Sequence, residues 1–192
     1  MNLSNEQRKQ LIEKYPYLQP RNVWTGKISE DYNYSYIRGE HELPNGWIRL
    51  FFLYCKNIRP LLEKHNQISK YQFSQIKEKY GTMRMYDFGA PIEVHRLNTI
   101  YDCYSQYICC KCGQYADYQT IGWIESYCNT CWPKDPQDVV INLKKPKHCC
   151  CEYYDKERDY DYEIHYSYKS LNKEYTKIKD MTDEEFYAYL MN

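Results

Sequence analysis

Two short stretches, Cys109-Cys110-Lys111-Cys112-Gly113 and Cys128-Asn129-Thr130-Cys131, decide how this chain is read. Two residues between paired cysteines let one tight turn aim both sulfurs at a single ion. The N–H groups of the same turn offset thiolate charge. Gly113 supplies the positive φ that such a knuckle needs at its exit. Fifteen residues separate the two pairs, and Gln114 to Glu125 is long enough for a small hairpin that brings the second knuckle back to the first. Two pairs at this spacing match a four-thiolate zinc site formed by Cys109, Cys112, Cys128 and Cys131. Cys110 stands only one residue from Cys112, so Cys109 is the better ligand. Four thiolates on tetrahedral Zn²⁺ leave no open coordination position, which makes the expected role structural. Iron–sulfur clusters use similar ligands, but nothing else in the chain points to redox chemistry.

Working outward, His148, Cys149, Cys150 and Cys151 form a second candidate metal or thiol cluster. It is weaker, because adjacent side chains seldom converge on one ion. Cys55 and Cys103 fall on apolar helical faces and read as core residues. Ten cysteines in all, with a polar start from Met1 to Lys14 and no apolar signal region, suit a reducing cytoplasmic setting. Trp47 to Cys55 is the densest apolar stretch and is too short to cross a membrane.

The chain has 192 residues, with 26 basic and 26 acidic side chains, so its composition disfavours a strongly electrostatic nucleic-acid binder. Hydrophobic residues make up 43 %, enough for a core, and 24 tyrosines supply much of that. Such a chain exposes many half-polar rings.

Ser4 with Gln7 forms a capping-box pattern ahead of Leu11, Ile12 and Tyr15. A second helix begins near Trp47, carrying Ile48, Phe51, Phe52, Cys55, Ile58 and Leu62, with Pro60 able to kink or divide it. Tyr71 to Phe88 reads as a hairpin turning at Tyr80-Gly81, with Met83, Met85 and Asp87 on one face and Thr82, Arg84, Tyr86 and Phe88 on the other. Pro91 opens a third helix whose stripe runs through Leu97, Ile100, Tyr101, Tyr104 and Ile108. Val139 to Leu143 is a short strand candidate. Tyr160 to Tyr168 alternates as a strand, and Thr182 with Glu185 caps a last short helix. The expected fold is α+β: helices on a small antiparallel sheet, a four-Cys zinc knuckle or ribbon, and a Tyr-rich C-terminal extension. The expected segments are 1–108 (helical and β-hairpin core), 109–132 (zinc unit) and 133–192 (Tyr-rich extension).

Further residues match a pattern seen elsewhere. Arg21-Asn22-Val23-Trp24-Thr25-Gly26-Lys27, Asp31-Tyr32-Asn33-Tyr34-Ser35-Tyr36, Gly46-Trp47, the Gln75 to Tyr86 stretch with its Ile76-Lys77-Glu78-Lys79-Tyr80-Gly81-Thr82 motif, both knuckles and Gly122-Trp123-Ile124 carry it. Together they resemble a family of small, uncharacterised two-CxxC zinc-knuckle proteins of bacteriophages and prophages of low-GC Gram-positive bacteria. The resemblance covers about residues 15–132; it implies a zinc-bearing phage accessory protein and carries no particular activity with it.

The first functional expectation is a phage-encoded, zinc-stabilised binding protein in the host cytoplasm. It acts on a host protein, with a host-defence system such as a CRISPR nuclease as the candidate target. Tyr and Arg suit interface anchors. Glu152, Asp155, Glu157, Asp159, Asp161 and Glu163 form an acidic strip that could enter a basic groove. The alternative is a nucleic-acid-binding zinc protein using Lys70, Lys77, Lys79, Arg84 and Lys111. An enzyme is not expected, since no Walker A, GxGxxG, GxSxG or HExxH motif occurs and the five histidines lack metal-type pairing. Neither a membrane partner nor a small-molecule ligand is expected.

Overall fold

The computed structural model describes residues 3–19, 22, 25–28, 43–133, 140–142 and 168–192, with backbone alone at 140–142. Helix α1, Asn5–Lys14, starts where the capping box places it. The Ser4 hydroxyl accepts from the Gln7 backbone N–H at 3.2 Å, and the Gln7 side chain accepts from Ser4 N–H at 2.9 Å. Leu11 is its buried anchor, and a short 3₁₀ turn, Pro16–Leu18, follows.

Helix α2, Ile48–Lys64, is the centre of the molecule. Leu50, Phe51, Phe52, Leu53, Tyr54 and Cys55 are all buried, so this part of the helix is enclosed on every side. Pro60 does not divide the helix. In the preceding turn the Tyr17 hydroxyl donates to the Cys55 carbonyl at 2.5 Å, next to the Lys56 carbonyl whose i+4 residue is Pro60 and has no N–H to offer. Tyr17, Phe73, Tyr71, Phe51, Tyr54 and Tyr101 then form a chain of tilted and edge-on ring contacts through the core.

Strands β1, Gln72–Lys79, and β2, Thr82–Phe88, pair antiparallel as a hairpin. Its two-residue turn has positive φ at both Tyr80 (54°) and Gly81 (74°), the backbone twist a tight hairpin prefers. Phe73, Ile76, Met83 and Met85 face the core. A bulge falls between Phe73 and Gln75. The outer edge of β2 is covered by α3, Ile92–Ser105. The Met83 N–H donates to Ser105 Oγ at 2.8 Å, and Asn98 donates to the Met85 carbonyl at 2.7 Å. Pro91 occupies the N-cap of α3 rather than its first turn. The helix stops at Ser105, and Ile108 instead bridges to Tyr115 at the entrance of the cysteine region.

A second antiparallel sheet has the order β4-β3-β5, with β3 Tyr118–Thr120, β4 Ser126–Tyr127 and β5 Val140–Asn142. The candidate strand at Val139 to Leu143 is thus present as β5. Of the strand expected at 160–168, residues 160–167 lie outside the described residues, and Tyr168 opens a helix, α4, Tyr168–Ile178. Helix α5, Asp183–Met191, begins with the Thr182–Glu185 capping box. Arg49 of α2 donates to the Ile178 and Lys179 carbonyls at the end of α4 and pairs with Asp183 at 3.0 Å. A cation there meets the negative end of the α4 dipole. One buried apolar cluster takes in Leu11, Phe51, Met83, Tyr104, Cys109, Tyr127, Leu171 and Leu190, and so joins all the segments. The architecture is α+β, with helices packed on small antiparallel sheets. No helix among the described residues is long and apolar enough to cross a membrane.

Candidate metal centre

Each knuckle is built by its own backbone hydrogen bonds. In the first, Cys109 N–H donates to the Gln114 carbonyl at 2.7 Å, and Gly113 N–H donates to the Cys109 carbonyl at 3.0 Å. Gly113 has φ of +78°, which admits the reversal without strain. In the second, Cys131 N–H donates to the Cys128 carbonyl at 3.1 Å, and the Asp117 carboxylate accepts from Asn129 N–H at 2.9 Å. Strands β3 and β4 return the chain between them, with Tyr118 opposite Tyr127. Trp132 packs against both of those rings.

The outcome is convergence. The sulfur atoms of Cys109, Cys112, Cys128 and Cys131 all lie within 4.8 Å of one another, the one such group among the described residues. Cys112 Sγ and Cys128 Sγ are 3.6 Å apart. A tetrahedral ion with metal–sulfur bonds of about 2.3 Å requires sulfur–sulfur edges of about 3.8 Å. The four-thiol set therefore fits a thiophilic divalent ion, with no fifth side chain needed. Cys109 and Cys128 are buried, Cys131 is half-buried and Cys112 is exposed, so the centre reaches solvent on one side only.

Electrostatics favour an ion as well. At Cys128 burial opposes the thiolate, but backbone N–H groups of Cys131 and Thr130 and the neighbouring thiols outweigh it, leaving the thiol below its ordinary range. Cys112 goes the other way, raised chiefly by burial and further by the sulfurs around it. Four thiols this close cannot all ionise without a positive charge between them. Cys110 stands apart from the group. Its N–H donates to the Ser126 carbonyl at 2.8 Å, and burial above all pushes its thiol up to about 12, as expected of a core cysteine.

Several contacts tie the centre to the rest of the protein. Gly46 N–H donates to the Cys110 carbonyl at 2.9 Å, and a Cβ on Gly46 would lie 2.0 Å from the Cys109 carbonyl and 2.6 Å from Gly113 N. Next to it the Trp47 indole donates to the Ile108 carbonyl at 3.0 Å. From the other side the Tyr175 hydroxyl of α4 donates to the Gly113 carbonyl at 2.8 Å. Finally, the hairpin turn rests on the ribbon, where a Cβ on Gly81 would lie 2.3 Å from Ile124 Cγ2. Gly46 and Tyr175 have no part in the ligand pattern, and sequence reasoning missed their role. Pro44-Asn45-Gly46 is turn chemistry, which does not say what surface the turn will meet.

The other candidate residues divide sharply. His148, Cys149, Cys150 and Cys151, and the acidic strip Glu152, Asp155, Glu157, Asp159, Asp161 and Glu163, lie outside the described residues. Lys77 and Arg84 are cross-strand neighbours, and Lys79 ends β1 opposite Thr82. Lys70 is exposed just before β1, and Lys111 is exposed on the first knuckle. Cys55 is buried in α2, and Cys103 is half-buried on α3. No protein-family model, curated protein or solved structure matches this chain.

Proposed function

We propose that this chain is a zinc-stabilised binding protein of phage origin that acts in the host cytoplasm by gripping a host protein, with inhibition of a defence nuclease such as a CRISPR effector as its specific role. The observation that carries the binding reading is the closed four-sulfur set within the core. A tetrahedral Zn²⁺ on Cys109, Cys112, Cys128 and Cys131 would have no position left for substrate, so its contribution is rigidity rather than turnover. That rigidity holds an exposed aromatic pair. Tyr80 on the hairpin turn is 72 % exposed and Trp123 on the ribbon turn is 73 % exposed, and they flank the contact between Gly81 and Ile124. Ile121 is exposed beside them. Large rings on fixed turns suit interface anchors, because little side-chain freedom is lost on docking.

The test has two parts. Metal analysis of natively purified protein is expected to find one zinc per chain. Affinity purification from host cells, followed by reconstitution with the purified partner, is expected to give a complex that Tyr80→Ala with Trp123→Ala weakens at least tenfold. Absence of zinc ends the metal assignment. A reconstituted complex indifferent to both ring deletions ends the anchor assignment.

A further inference from the structure

We propose that the outward face of the β1–β2 hairpin is a platform for single-stranded nucleic acid, on which Tyr86 and Phe88 stack bases while Lys77 and Lys79 hold phosphates. This goes beyond the protein-binding reading and rests on a different surface. The starting point is how the hairpin sorts its charges. Its cross-strand pairs Gln75–Tyr86, Lys77–Arg84 and Lys79–Thr82 lie on the side away from the buried Phe73, Ile76, Met83 and Met85. The hairpin's own residues place three cations and no carboxylate on that side, and one of the three, Arg84, meets Asp102 of α3. The two hairpin carboxylates are on the other side: Glu78 caps Gly81 N–H at 2.7 Å, and Asp87 lies 3.5 Å from the Tyr71 hydroxyl. A neutral chain has therefore built a local cationic face.

Rings are interleaved with those cations. Tyr86 is 42 % exposed and Phe88 is 52 % exposed. They stand about 7 Å apart along the strand, room for one base on each. Lys77 Nζ is 5.4 Å from the centre of the Tyr86 ring, and Lys79 Nζ is 5.3 Å from that of Tyr80. Asp102 pairs with Arg84 and fixes the direction of its guanidinium, while among the described residues neither lysine pairs with a carboxylate. Unstacked bases offer open π-faces to exposed rings, whereas a duplex conceals them, so this face suits single strands.

The experiment uses the full chain with its metal bound. Fluorescence anisotropy follows labelled oligothymidylate, oligouridylate and a duplex, each of about 15 nucleotides, a length within the range of single-strand site sizes. Binding of single strands is expected at about 50 mM salt. Its log–log salt slope is expected to be about −1.4, from about −0.7 per phosphate over the two lysine contacts, since Arg84 is already paired with Asp102. Lys77→Glu with Lys79→Glu is expected to weaken binding at least tenfold and to flatten that slope. Tyr86→Ala and Phe88→Ala are each expected to weaken it at least fivefold, with circular dichroism and metal content unchanged. Should Tyr86→Ala fail to fold, Tyr86→Leu keeps apolar bulk without a stacking face and is expected to lose the same affinity. A preference between the two single strands shows that the 2′-hydroxyl or the thymine methyl group is read, and equal binding assigns the contact to ring stacking and phosphates alone. The proposal is overturned by no binding of either strand at low salt, by a duplex that binds as tightly as single strands, or by ring variants that bind like the parent.

Discussion

The cysteine ribbon and the helical core around α2 solve the same problem by opposite means. In the core, Leu50 to Cys55 are buried in succession, and aromatic rings close over them. Cohesion there comes from apolar area removed from water. The ribbon has a two-residue strand, a three-residue strand and a small cluster of Tyr118, Tyr127 and Trp132 rings. Beside them four sulfurs lie within 4.8 Å of one another. The difference shows that the ribbon is not a smaller version of the core. On the proposed metal reading it is a unit held by an ion, clipped to an apolar body through Gly46, Tyr175 and Gly81.

The largest expected effect breaks the comparison at the ion. Removing the metal with a strong chelator, or replacing Cys128 with Ser, is expected to cost the ribbon on the order of 10 kcal/mol of local stability. Limited proteolysis should then cut between residues 109 and 132 while helical circular dichroism persists. Simultaneous collapse of both regions would show that they are not separable. Next is the reverse case. Phe51→Ala in the core is expected to cost about 4 kcal/mol in urea unfolding while zinc content per folded molecule stays the same.

At the junction, Gly46→Ala drives a methyl into the Cys109 carbonyl and Gly113 N, atoms that belong to backbone and cannot step aside. A loss of about 3 kcal/mol is expected, together with faster zinc release to a chelator, which a defect confined to α2 would not produce. Tyr175→Phe removes only the bond to the Gly113 carbonyl, and about 1 kcal/mol is expected, read by the same two measurements.

The smallest effect distinguishes the core by pH. Burial raises the Asp87 carboxyl above its ordinary value. A carboxyl raised in the folded state binds its proton more tightly there than in the unfolded chain. Its contribution is therefore greatest below the unfolded value and declines as pH rises through the folded one. Asp87→Asn is expected to flatten the stability profile over that acidic window, as measured by unfolding at a series of pH values.

What could be read in advance follows the range of the forces involved. The capping boxes at Ser4 and Thr182 and the turn at Tyr80-Gly81 are local chemistry, and each appears where its residues stand. The four cysteines were legible because two-residue spacing carries its own geometry. Helix α4 was not. Tyr168, Leu171, Tyr175 and Ile178 do recur at helical intervals, but the alternating tyrosines before them suggested that a strand ran on through Tyr168. Tyrosine accepts either environment, so its pattern discriminates poorly. The role of Gly46 was beyond reach for another reason. Its partner is Cys109, sixty-three positions away, and no local rule predicts which backbone a glycine will meet.

The pairing of α1 with α5 bears on the order in which the chain can mature as it leaves the ribosome. The Tyr15 hydroxyl donates to the Leu190 carbonyl at 2.6 Å, and the Tyr187 hydroxyl donates to the Gln10 side-chain carbonyl. Both knuckles emerge during synthesis well before those partners do. On the proposed metal reading, ion capture can come early, while the contacts of α1 with α5 form only after α5 is translated, and a stalled nascent chain would hold a loaded ribbon beside an unclosed body.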